Sequence, residues 1–67
     1  MNKALLRSIM TLHGETNKDL AELLLLSEAS VSNKINETGT EFKQSEIALI
    51  QKHYNLTPEQ VNEIFFN

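Results

Sequence analysis

The chain has 67 residues, no cysteine, and six lysines and arginines against nine aspartates and glutamates, which gives a formal net charge of −3. This length predicts a single domain over residues 1–67 with a small core, and the lack of cysteine excludes disulfides, thiolate metal sites and thiol nucleophiles. No apolar run approaches the roughly 20 residues that cross a bilayer. The first ten residues lack the apolar stretch of a signal peptide. We therefore expect a soluble, cytoplasmic protein.

Residues that cap free backbone N–H groups predict where the later helices begin. The strongest start is Thr57, because Pro58 suits the first helical turn and Gln60 can close a capping box. The other predicted starts are Thr16, Ser27 and, with a poor capping residue, Lys43.

The spacing of apolar residues agrees with these starts. Apolar side chains recur at helical intervals, and no stretch alternates with period two for long enough to form a strand. The glycines, Gly14 and Gly39, fall at predicted helix ends, where a positive φ is often needed. The sequence predicts an all-α fold with helices near 2–13, 17–24, 28–36, 44–54 and 58–66.

The second and third predicted helices are joined by a very short connection, Leu25 to Ser27. So short a connection forces the two helices to cross steeply, as in a helix-turn-helix. Ala21 supplies a small side chain where the helices approach, and Leu24 fills the angle between them. On the third helix, Val31 and Ile35 define the face that packs into the core.

The opposite face of the third helix is small and polar. Such side chains allow a helix to enter the major groove, and asparagine can pair with adenine through two hydrogen bonds. Glu28, at the tip of the helix, can accept from cytosine N4, although the helix dipole alone also favours an acid there. The outward residues are Ala29, Ser30, Asn33 and Asn36, with Ser32 and Lys34 beside them. The predicted base-reading residues are Glu28, Ala29, Ser30 and Asn33.

Segments 16–21 (TNKDLA) and 26–36 (LSEASVSNKIN) resemble the helix-turn-helix of the lambda-type Cro/repressor family. Segments 42–47 (FKQSEI) and 64–66 (IFF) resemble small Cro-like regulators from phages and prophages of Gram-positive bacteria. The resemblance implies a five-helix, lambda-repressor-like domain that represses transcription by occupying double-stranded operator DNA. It implies no cofactor, no small-molecule substrate and no enzymatic reaction.

The resemblance also implies a set of phosphate contacts. They fall on Asn17, Lys18, Ser32, Lys34, Thr38, Thr40 and Lys43. The sequence departs from the family pattern at two positions. Asn17 replaces a longer glutamine, and Leu25 stands where the family has glycine in the turn. A left-handed leucine costs about 1–2 kcal/mol, so the turn is either strained or built differently.

The net charge and the C-terminus leave a second interpretation open. DNA binders usually gain affinity by neutralising phosphates, yet three lysines stand against five acids between Thr16 and Lys43. We therefore expect modest affinity and a shallow salt dependence. The alternative is a helical protein-interaction module, such as a phage antirepressor.

The remaining polar residues are not assigned to a metal site, a catalytic site or a binding site in this interpretation. His13 and His53 are isolated histidines without a second ligand at helical spacing, so no metal site is expected. No catalytic set of residues is recognisable. We interpret Lys3, Arg7 and Lys52 as surface charge.

The C-terminal segment is a candidate dimer contact, formed in solution or only on DNA. Its residues are Ile64, Phe65 and Phe66. With Ile64 and Phe65 on the core stripe, Phe66 points elsewhere and either contacts a second copy or folds back onto its own domain. Because helix-turn-helix proteins commonly bind paired half-sites as dimers, Phe66→Ala is predicted to weaken operator binding without unfolding the monomer.

Overall fold

The computed structural model describes residues 1–66, which form five α-helices and no strand. The helices are α1 (Lys3–Leu12), α2 (Asn17–Leu24), α3 (Glu28–Ile35), α4 (Gln44–Tyr54) and α5 (Pro58–Phe65). The prediction of an all-α chain with five helices is confirmed, and every boundary lies within one residue of its predicted place. Within residues 1–66, no helix has the length and apolar character needed to cross a membrane.

Hydrogen bonds at the helix starts explain why the boundaries were predictable. The hydroxyl of Thr57 accepts from the Gln60 N–H at 3.1 Å, and the Gln60 side chain accepts from the Thr57 N–H at 2.9 Å. Ser27 Oγ accepts from the Ser30 N–H at 3.1 Å. Each contact satisfies a backbone donor that the first helical turn leaves free.

The other two starts depend on an acid in the first turn. Asp19 Oδ2 accepts from the Thr16 N–H at 2.8 Å, and Glu46 Oε1 accepts from the Lys43 N–H at 2.8 Å. Lys43 has no side-chain acceptor, so Glu46 supplies the cap of α4. This contact compensates for the poor capping residue.

One apolar core holds the five helices together. α2 packs on α3 and α4, and α5 packs on α1 and α4. All five helices contribute to the core, and its most completely buried side chains are Leu6, Leu20, Val31, Ile35, Ile50 and Ile64.

Two pairs of helices are joined by the same kind of turn. α2 ends on Leu25 (φ 57°, ψ 43°) and α4 ends on Asn55 (φ 54°, ψ 48°), both left-handed. The next residue, Leu26 or Leu56, donates its N–H to the carbonyl five residues earlier at 2.9 Å, which is the bond of a Schellman motif. We call α2–turn–α3 the first unit and α4–turn–α5 the second unit.

Candidate nucleic-acid interface

The outward face of α3 is the predicted base-reading surface. Val31 and Ile35 are buried in the core, so the opposite side of the helix faces solvent. Glu28, Ala29 and Asn33 are exposed. The predicted orientation of α3 is thereby confirmed, and it presents carboxylate, methyl and amide groups outward.

The serines of α3 lie at the margins of that face. Ser30 and Ser32 are half-buried. Ser30 Oγ accepts from the Ser27 hydroxyl at 3.0 Å, and Ser32 Oγ accepts from the Asn36 amide at 3.4 Å. Both hydroxyls therefore already have partners within the protein.

Lys34 does not lie beside the outward face, and its predicted place there is wrong. Lys34 is buried, with only 7% of the residue exposed, and its Nζ lies 2.8 Å from Glu46 Oε1 of α4. Lys34 directly precedes Ile35 and follows Val31 by three residues, so it stands at the edge of the core stripe. There its aliphatic stem is buried, and Glu46 neutralises the ammonium group. Lys34 is thus removed from the set of phosphate contacts.

Glu46 stays ionised despite its burial. Burial raises the pKa of its carboxyl, but hydrogen bonds from the Lys34 ammonium and the Lys43 N–H outweigh that effect. The net pKa is below the ordinary value. The same carboxylate oxygen therefore caps α4 and binds Lys34 of α3, which ties α3 to α4.

The N-terminal ends of α2 and α3 open on one groove. Asn17 is half-buried, and Lys18 is exposed. The residues that line the groove are Arg7, Met10, Thr11, Glu15, Thr16, Asn17 and Glu28. Helix N-termini favour negatively charged groups, so this groove suits a backbone phosphate. Arg7, which the sequence left as surface charge, belongs to it.

A second cation of α1 lies at the other end of α3. Lys3 Nζ donates to Asn36 Oδ1 at 3.2 Å. Lys3 and Arg7 are spaced to share one face of α1, and that spacing was visible in the sequence. The missing information was tertiary, because only the folded structure shows that Lys3 reaches Asn36 and that Arg7 shares a groove with Glu28.

The α3–α4 loop carries mixed charge. The predicted phosphate contacts Thr38, Thr40 and Lys43 are all exposed. Glu37 and Glu41 lie on either side of the two threonines and are exposed as well. The amino group of Met1 lies 2.9 Å from Glu37 Oε1 and neutralises that carboxylate.

The C-terminal candidate dimer contact is smaller than predicted. Ile64 is 0% exposed and belongs to the core, so its assignment to a contact surface is wrong. Phe65 is half-buried and packs edge-on against Phe42, with ring centroids 5.8 Å apart. Phe66 is 62% exposed. It borders a groove lined by Met1, Glu37, Glu41, Phe42, Gln44, Ile47, Phe65 and Phe66.

The histidines join the α1–α2 loop to α4. Glu15 accepts from the Tyr54 hydroxyl at 2.8 Å, and His53 Nε2 lies 3.0 Å from the same carboxylate. These hydrogen bonds lower the pKa of Glu15. His13 packs edge-on against Tyr54, with centroids 4.9 Å apart. Residues 1–66 contain no group of three side chains suited to a metal ion.

In comparisons with known proteins, the chain matches no family model, no curated protein and no solved structure. Its function is therefore inferred from its own residues.

Proposed function

We propose that the chain is a sequence-specific DNA-binding regulator that places α3 in the major groove of operator DNA and represses transcription by occupying it. The observation that carries the proposal is the contrast between α3 and α5. Both helices follow the same turn, yet α3 presents Ala29 and Asn33 outward where α5 has Glu59 and Glu63. Of these two outward faces, that of α3 is free of the acids that phosphates would repel, apart from Glu28 at its tip.

In the proposed complex, side chains of α3 contact the bases, and the starts of α2 and α3 contact the phosphate backbone. Asn33 is suited to pair with adenine N6 and N7. The free N–H groups at the starts of α2 and α3, together with Lys18, are suited to phosphates. Glu28 either accepts from cytosine N4 or serves the helix dipole. In this proposal the chain acts as a Cro-like repressor of a phage or prophage and needs no cofactor.

The charge distribution predicts a weak electrostatic contribution. Lys34 is paired with Glu46, which leaves Lys18 and Lys43 as the lysines of the predicted phosphate set. Each phosphate that a cation neutralises contributes about 0.9 to the magnitude of the negative slope of log K against log salt concentration. We therefore expect a shallow slope and specificity that depends on α3.

Binding to the DNA beside the gene of this protein tests the proposal. Fluorescence anisotropy would compare that duplex with a random duplex across a salt series. Asn33→Ala is expected to lose about 1–3 kcal/mol of specific binding with an unchanged melting temperature. Glu63→Ala, at the equivalent position of α5, is the matched control and should bind like the unaltered chain. Equal binding of the unaltered chain to both duplexes at low salt would contradict the proposal.

A second candidate function is a helical protein-interaction module, such as an antirepressor. The exposed Phe66 beside a groove of mixed polarity and the outward acids of α5 favour it. In that case Asn33→Ala would leave binding to the partner unchanged, and the chain would show no preference between duplexes.

A further inference from the structure

We propose that α1 forms part of the DNA-binding surface, with Lys3 and Arg7 contacting the phosphate backbone on one side of the major groove that α3 enters. The inference rests on the proposed function and extends it to a helix outside the helix-turn-helix. It assigns a binding role to two residues whose positions in the sequence indicate only surface charge.

The first observation is that these two cations are not neutralised. Among residues 1–66, no carboxylate lies within ion-pair distance of Lys3 or Arg7, whereas Lys34 is paired with Glu46. The polar partner of Lys3 is the neutral amide of Asn36. The two cations therefore remain available to a ligand of opposite charge.

The second observation is where they lie. Lys3 is held at the C-terminal end of α3 by its hydrogen bond to Asn36 Oδ1 at 3.2 Å. Arg7 lies in the groove onto which the N-terminal ends of α2 and α3 open, with Asn17 and Glu28. One face of α1 thus reaches both ends of the proposed recognition helix.

The spacing of the two cations suits a nucleic-acid strand. Residues four apart on a helix are separated by about 6 Å along its axis, and successive phosphates of one strand are separated by about 3.4 Å along the DNA axis. Lys3 and Arg7 are therefore able to reach separate phosphates of the same strand. An acidic peptide would satisfy the same charges, but it would leave the polar face of α3 without a role.

Two carboxylates share the groove with Arg7, and they limit the site differently. Glu15 is already bonded to Tyr54 and His53, so its charge is partly compensated. Glu28 is exposed at the tip of α3. Its negative charge opposes a phosphate at Arg7, whereas the partly compensated charge of Glu15 does so less.

The double variant Lys3→Gln/Arg7→Gln tests the inference. Losing two phosphate contacts should lower the magnitude of the slope of log K against log salt concentration by about 1.8, at about 0.9 for each contact. Binding to the operator and to random duplex should weaken by the same factor, so the ratio between them is kept. Asn33→Ala should show the reverse, a lower ratio with an unchanged slope.

Lys52→Gln is the matched control. Lys52 is exposed in the last turn of α4, at the opposite end of that helix from Glu46, and its removal should leave the slope unchanged. Thermal unfolding of all variants would confirm that the domain stays folded.

The outcomes separate the inference from the proposed function. Operator preference with the same slope in the double variant and the unaltered chain would overturn the role of α1 and leave the function standing. DNA binding without operator preference, but with the expected fall in slope, would support the α1 contact and overturn sequence-specific regulation. No binding to either duplex at low salt would overturn both.

Discussion

The first and second units are built on the same backbone and present different surfaces. In each, a left-handed residue ends one helix, a leucine follows, and a hydroxyl residue caps the next helix. Val31 and Val61 occupy equivalent buried positions after the two caps. The outward residues differ, being small or neutral on most of α3 and acidic on α5. The comparison shows that one backbone arrangement carries two different outer faces, so the proposed DNA binding rests on the outward residues of α3 and not on the turn that the two units share.

The units also differ in how the second helix is anchored. Ile64 of α5 and Lys34 of α3 stand at equivalent positions counted from their caps, and both are buried. α5 fills this position with an apolar side chain, whereas α3 fills it with a cation that pairs with Glu46 at 2.8 Å. An apolar contact tolerates small shifts, but a buried ion pair requires one geometry. We infer that the pair fixes the orientation of α3 on α4.

Breaking the ion pair should produce the largest effect. Glu46→Ala leaves the Lys34 ammonium buried without a counter-charge and also removes the cap of α4, so we expect a loss of about 3–5 kcal/mol in the free energy of unfolding. Urea denaturation at neutral pH measures this change. The double variant Lys34→Met/Glu46→Leu, which copies the apolar anchoring of α5, should recover the part of this loss that comes from the unpaired ammonium and keep only the cost of the missing α4 cap, about 1 kcal/mol. Equal losses in the single and double variants would contradict this account.

The pH dependence of stability provides an independent check on the pair. The folded-state pKa of Glu46 lies below its ordinary value of 4.5, so its stabilising effect is present above that pH and is lost as the pH falls below it. The pKa values of Glu15 and Asp19 are lowered too, and acid should therefore destabilise the domain through all three carboxyls. Glu46→Ala should reduce this acid sensitivity without abolishing it. An unchanged acid sensitivity would show that the pair contributes nothing to it.

The ends of α3 and α5 offer the next test. Asn36 and Phe66 are the C-cap residues of the two helices, and both are exposed. If Phe66 contacts a second copy on operator DNA, Phe66→Ala should weaken operator binding by about 2 kcal/mol, as for an interface hot spot, with the monomer still folded. DNA titration and sedimentation measure the two effects. Leu12→Ala, which removes an exposed leucine at the end of α1, is the control, and an equal effect of both variants would remove the dimer hypothesis.

Local chemistry explains what the sequence predicted well. Caps such as Thr57 with Gln60 act within one turn, and the core stripe of α3 follows from helical periodicity. The errors concern residues whose surroundings depend on distant parts of the chain. Lys34 stands at the edge of a stripe, and its burial depends on Glu46 of another helix. The places of Lys3 near Asn36 and of Arg7 near Glu28 depend on the tertiary fold, which brings these side chains of α1 to the ends of α3.

Ile64 shows a second kind of limit. Periodicity placed it on the core stripe, and the apolar C-terminal sequence also made it a candidate dimer contact. The structure confirms the first assignment and contradicts the second. Which of several adjacent apolar residues at a helix end are buried depends on the rotation of the helix about its own axis. Composition does not provide that rotation.

The smallest expected effect concerns the shared turn itself. Leu25 and Asn55 adopt nearly the same left-handed conformation, but a leucine there costs about 1–2 kcal/mol, and Asn tolerates it better. Leu25 is also 91% exposed, so its side chain gains little from packing. Leu25→Gly removes this conformational strain, but glycine loses more backbone entropy on folding. The net result should be a stabilisation of about 1 kcal/mol or less.

The matched change at the second turn shows whether backbone strain is the cause. Asn55→Gly should shift the urea midpoint less than Leu25→Gly, because asparagine already tolerates a positive φ. Leu25→Asn separates strain from exposure, since it keeps a side chain while lowering the cost of the conformation. A loss of stability in Leu25→Asn as well as in Leu25→Gly would indicate that the leucine side chain is held by a contact in solution. A second copy of the chain would then be the first partner to examine, by repeating the measurement at several protein concentrations.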